Sequence, residues 1–171
     1  MKSTRRILLL KHTLYAVILY LLYIIQTMPN LFVIAGNKPV WVVPFVVAVA
    51  MFEGEFVGGI YGAVAGLLCD FGGFTLFGFN GAICCLCCIA SGLMVIYLMR
   101  RNVFCCMLFV FITMMLRGSI GYFFAYGIWD YDNSWKVFIF QMIPTSVYTV
   151  LATPFVYAIF SRIYRRFVSI L

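Results

Sequence analysis

The chain has 171 residues, 65% of them hydrophobic and 10% charged, with a formal net charge of +7 and a mean hydropathy of +1.09. A soluble domain is about 45–50% apolar and about 25% charged, so the composition excludes water as the main solvent and predicts an all-α, polytopic membrane protein. One helical crossing takes about 20 apolar residues, so spans and tight loops use up residues 1–171 as a single transmembrane domain, with no separate extramembrane domain.

The N-terminus, Met1-Lys2-Ser3-Thr4-Arg5-Arg6, precedes an apolar run in the manner of a signal peptide. The run continues to Met28 with no small-residue cleavage site behind it, which predicts a retained first span. Six apolar runs follow one another at about 8–28, 39–52, 56–70, 76–99, 103–128 and 137–160. The second and third are short, and Glu53-Gly54-Glu55 between them is either the tip of a tight hairpin or the charged centre of one long tilted helix.

Charge bias separates the two, because Lys and Arg in short loops favour the cytoplasm. With a hairpin, Lys2, Arg5, Arg6, Lys11, Arg100, Arg101, Arg162, Arg165 and Arg166 lie inside, against Lys38 and Lys136 outside. With one long helix every later loop flips, so Lys2, Arg5, Arg6, Lys11 and Lys136 lie inside and the other six face out. The hairpin, six spans and cytoplasmic termini are the expected topology. Because the basic residues sit at span ends, lipid head groups account for the net charge, and a nucleic-acid partner is not expected. Trp41, Trp129 and Trp135 fall at the ends of the first and last outer loops, where indoles anchor at the interface or meet a neighbouring protein.

Gly54, Gly58, Gly62 and Gly66 recur every four residues and strip one stripe of side chains, so that another helix can approach closely. That helix belongs either to this chain or to a partner. For a partner's span, Gly62→Leu is expected to break the complex and leave insertion intact. Asp70 follows the stripe, and Arg117 lies inside the fifth span; each is about 21 Å from the start of its span at 1.5 Å per residue, so an ion pair between them is possible. The alternatives are a snorkelling Arg117 and an Asp70 that ends its helix. Glu53 and Glu55 read as a solvated turn, steadied electrostatically by Arg100 and Arg101.

Cys69, Cys84, Cys85, Cys87, Cys88, Cys105 and Cys106 read as small packing groups rather than a metal site, because thiols within one helix fan around its axis instead of converging. His12 is the single histidine. No catalytic set, phosphate loop, cofactor motif or metal-ligand set is visible, so an enzyme is not expected. Pro144 and Pro154 predict a bent last span.

Gly62-Ala-Val-Ala-Gly66-Leu67-Leu68-Cys69-Asp70, followed by Leu76-Phe77-Gly78-Phe79-Asn80-Gly81, resembles the signature of the bacterial rod shape-determining protein MreD family. The layout agrees across nearly the whole chain: a basic N-terminus, Ile25-Gln26-Thr27 closing the first span, an Arg pair after the fourth, and a final span from Ile143-Pro144 to a basic tail. The cysteine-rich fourth span departs from that pattern. The resemblance implies a scaffold in the bacterial cytoplasmic membrane that associates with the bitopic protein MreC and indirectly with actin-like MreB and the cell-wall synthases. It implies that Gly62, Gly66 and Asp70 are structural or contact residues. The family is similar in size and span number to the substrate-binding S-components of energy-coupling-factor vitamin transporters, which makes solute binding the competing expectation.

Overall fold

The computed structural model describes residues 2–28, 38–71, 77–124 and 142–168, and within them the secondary structure is helical. The helices are α1 (Lys2–Thr27), α2 (Val42–Glu53), α3 (Glu55–Phe71), α4 (Phe79–Tyr97), α5 (Val103–Tyr122) and α6 (Ile143–Val168). Four of them, α1, α4, α5 and α6, are long and apolar enough to cross a membrane. The chain is a membrane protein of the all-α, polytopic class. At 1.5 Å per residue α2 and α3 reach only about 18 and 26 Å, against roughly 30 Å of hydrocarbon.

The short α2 is the centre of the molecule. Its sequence, Val42-Val43-Pro44-Phe45-Val46-Val47-Ala48-Val49-Ala50-Met51-Phe52, has no polar side, and a helix that is apolar all round must be surrounded. Every residue from Val42 to Phe52 is buried, and α2 touches each of the other five helices. Pro44 is tolerated because it lies in the first turn, where backbone N–H groups have no intrahelical acceptor.

Gly54 ends α2 with φ +98°, a conformation that a Cβ would strain. Its N–H bonds back to the Ala50 carbonyl at 3.1 Å, and its own carbonyl accepts the Gly58 N–H at 3.0 Å, which starts α3. The chain folds back here, since a Cβ on Gly58 would overlap Ala50, whereas eight residues along a continuous helix are about 12 Å apart. This is the tight hairpin expected from the charge distribution.

Gly62 and Gly66 then bring α3 against α4. A Cβ on Gly62 would lie 2.8 Å from the Cys84 carbonyl and 2.9 Å from the Cys88 Sγ, and one on Gly66 would overlap the backbone of Asn80 and Gly81. From the other side, a Cβ on Gly92 of α4 would lie 2.8 Å from the Glu55 Cα. Between membrane helices the gain from such proximity is dispersion and packing rather than removal of water, which is why small residues concentrate at this seam.

The two ends of the bundle differ in chemistry. One gathers Lys11, Glu53, Arg101 and the arginines of α6; the other gathers Gln26, Trp41, Asp70 and Asn80. Both terminal helices exceed their apolar runs. α1 already includes Lys2, and α6 continues through Pro154 to Val168, so the basic flanks are helical.

Candidate functional site

Asp70, only 4% exposed, closes α3 and is aimed at the start of α4. Its Oδ2 accepts N–H bonds from Gly78 at 2.9 Å and Gly81 at 3.4 Å; its Oδ1 accepts from the Asn80 side-chain amide at 2.6 Å and the Asn80 N–H at 3.4 Å. Gly78 reaches this geometry with φ +90°. The carboxylate thus supplies acceptors to the N–H groups that a helix start leaves without partners, and its charge meets the positive end of the α4 dipole. The residue caps a neighbouring helix across a connection.

Asn80, also 4% exposed, carries the network one step further, because its Oδ1 accepts the Arg117 Nε–H at 2.7 Å. Asp70 and Arg117 therefore share one site, with the Asn80 amide linking them. The Arg117 Nη1 is buried with no hydrogen-bond partner among the described residues. Near the same end, Gln26 of α1 accepts the Val42 N–H at 3.4 Å and directs its amide to the Cys69 sulfur at 3.8 Å. Trp41 immediately precedes α2 and is half-buried. Trp129 and Trp135 lie outside the described residues.

At the opposite end the expectation of a solvated Glu53 is overturned. Glu53 Oε1 pairs with the Lys11 ammonium at 2.5 Å and accepts the Tyr15 hydroxyl at 3.0 Å, with the Lys11 and Glu53 side chains only 6% and 11% exposed. The cause is the central position of α2, whose last residue is enclosed by α1 and the aromatic rings of α6. Lys11 lies over the Tyr164 ring at 5.2 Å and the Tyr15 ring at 5.9 Å. Beside it, the Tyr61 hydroxyl donates to the His12 carbonyl at 2.9 Å and lies 3.4 Å from His12 Nδ1. Arg101 lies over the Phe52 ring, at 5.7 Å. Sequence reasoning counted Lys11 for topology and missed its pairing; the signal was a lysine inside the first apolar run, three residues past its start at Leu8.

The glycine stripe divides by role. Gly54 is the turn, Gly58 meets Ala50 of α2, and Gly62 and Gly66 meet α4. Of the two alternatives, a helix of this chain or of a partner, the structure shows the first: α2 and α4 of this chain lie against the stripe. Cys84 and Cys88 are buried, and Cys88 faces Gly62 within that seam; all seven cysteines are free thiols. Among the described residues no three His, Cys, Asp or Glu side chains converge as a metal-binding group.

Comparison of the chain with protein-family models, with curated proteins and with solved structures finds no match. The class that fold and buried charges define is a helical integral membrane protein built around a central apolar helix.

Proposed function

We propose that this chain is a non-enzymatic scaffold subunit of the bacterial cell-elongation machinery, of the MreD type, crossing the cytoplasmic membrane six times with both termini in the cytoplasm. Three observations support the reading. The described residues that carry the resemblance, 62–70 and 77–81, form one unit in which glycines bring α3 onto α4 and Asp70 caps it. The polar groups at both ends are engaged largely in joining helices of this chain. The observation that carries most weight is α2: an apolar helix buried along its length takes the central space where a solute carrier needs a cavity with several convergent polar groups.

With the glycine stripe covered internally, partner contacts fall to the lipid-facing surfaces, where Leu86 of α4 and Phe104 of α5 are 67% and 83% exposed. The partner this reading assigns is the bitopic protein MreC, with MreB and the wall synthases reached through it. Photo-crosslinkers placed at Leu86, Phe104 and, as an internal control, Cys88 test it in cells. Crosslinks to MreC from an exposed position and not from Cys88 are expected; none from any exposed helix face would reject the reading.

A second reading, the vitamin-binding subunit of an energy-coupling-factor transporter with an S-component fold, draws on the unpartnered Arg117 Nη1, a buried donor suited to a ligand carboxylate. Thermal stabilisation of the purified protein by one of a panel of water-soluble vitamins, abolished by Arg117→Met, would favour it over the scaffold.

A further inference from the structure

Helix α1 is held to the rest of the bundle at two levels. At one, Lys11 and Tyr15 bind Glu53; at the other, Gln26 binds the start of α2. Between these levels α1, α2 and α6 leave an apolar crevice of about 70 Å³, walled by Ile18 and Leu22 of α1, Phe45 of α2, and Ile159 and Ile163 of α6, with Trp41 at the end where α2 begins. It opens on the outer surface of the bundle, since Phe155 and Ile159 at its edge are 64% and 43% exposed.

We propose that this crevice seats an acyl chain of an anionic phospholipid whose phosphate is held by the arginines at the end of α6. Three features select this occupant. The crevice, about 70 Å³, has no room for a helix body about 10 Å across but admits a short stretch of a hydrocarbon chain lying along its open side, which restores the dispersion contacts that an empty void forfeits. The crevice residues of α6 continue in register into charge: Arg162 lies one turn beyond Ile159, and Arg166 one turn beyond Ile163, both exposed. From Arg166 back to Phe155 is eleven residues, about 16 Å of helix, which matches half of a hydrocarbon core roughly 30 Å thick. A lipid with its phosphate at the arginines therefore lays its chain along Ile163, Ile159 and Phe155 at the open side of the crevice. Basic clusters at the ends of membrane helices draw anionic rather than zwitterionic lipids.

Native mass spectrometry of the full chain, loaded with either phosphatidylglycerol or phosphatidylcholine of matched long chains, tests the proposal. Several-fold greater retention of phosphatidylglycerol is expected. Arg162→Gln with Arg166→Gln should bring it down to the phosphatidylcholine level, and Ile159→Trp, which fills the crevice, should lower it with both arginines present. Six-carbon phosphatidylglycerol, tested on the unaltered protein, should be retained no better than phosphatidylcholine, which keeps the acyl seat testable if Ile159→Trp does not fold. Equal retention of the two long-chain lipids, or short-chain lipid held as well as long, would overturn the proposal. So would a dimer of the unaltered chain that Ile159→Trp converts to monomer without loss of lipid, which would assign the crevice to a second copy.

Discussion

The two buried charge clusters solve the same problem by different means. Asp70 is satisfied locally: its acceptors take donors from residues eight to eleven positions ahead, three of them backbone N–H groups. Any sequence that folds α3 back against α4 brings those donors along. Glu53 instead depends on side chains 42 and 38 positions away, on a helix that is otherwise largely lipid-facing. The first cluster is part of the α3–α4 seam, and the second is the clamp that fixes α1 to the central helix. Loss of the seam should therefore unmake the core, whereas loss of the clamp should free one helix.

The largest effect is expected at the seam. Gly66→Leu sets a branched side chain against the backbone of Asn80 and Gly81, which cannot move aside as a flexible side chain would. Overpacking of an ordinary core costs about 1–3 kcal/mol and occasionally more; here it also separates Asp70 from its donors, so no folded monomer is expected by size-exclusion chromatography in detergent. At Gly59 a Cβ would meet side chains and no backbone, Ile89 at 2.8 Å and the Cys85 Sγ at 3.8 Å, and Gly59→Ala should give a normal monomer peak. If Gly66→Leu also yields the normal peak, the seam is not what holds the core.

The clamp comes second. Removing one partner of a buried ion pair typically costs about 3–5 kcal/mol, because the other charge is left unpaired. Lys11→Met and Glu53→Gln should each lower the unfolding temperature substantially, and the double variant should recover much of that loss. Additive losses would mean that the two groups do not act as a pair. Asp70→Asn follows. The amide keeps one acceptor oxygen but sets an N–H₂ against the N–H groups of Gly78 and Gly81, and removes the negative charge from the start of α4. A cost of about 2–3 kcal/mol is expected from the loss of charge-assisted hydrogen bonds.

Much of this fold is legible in the sequence. The hairpin followed from counting basic residues on each side, and the glycine spacing announced a close helix contact, because both signals are local or additive along the chain. The identity of the covering helix was not legible, since a small-residue stripe specifies closeness and not the partner. Glu53 was misread for a related reason. An acidic residue beside a glycine turn is solvated if its helix is peripheral, and only the central position of α2 makes it buried. The all-apolar composition of Val42–Phe52 held that information, but a short apolar run reads equally as a lipid-facing span until its neighbours are placed. Asn80 stands in the sequence only as part of the Leu76–Gly81 motif, and its linking role needed the turn at Gly78, which no periodicity reveals.

The smallest effect is expected at Arg117, and it separates the two ends most sharply. Its Nε–H bond to Asn80 contributes stability, but a buried Nη1 without a partner and a charge inside the membrane oppose it. A charge-assisted hydrogen bond is worth about 1.5–3 kcal/mol, and placing an Arg at the centre of a membrane helix costs about 2.5–3.5 kcal/mol on insertion scales. The two nearly cancel, so Arg117→Met should shift stability by less than about 1 kcal/mol, far less than Asp70→Asn. The connection between Asp70 and Arg117 is then a relay, and Asn80 is the residue whose removal uncouples them. In a double-mutant cycle, Asp70→Asn and Arg117→Met should interact in the presence of Asn80 and become additive in an Asn80→Ala background. Coupling that survives Asn80→Ala would mean that the two charges act on each other directly. The Asp70 end would then be a second ion-pair clamp like that at Lys11, and the contrast between the two ends would disappear.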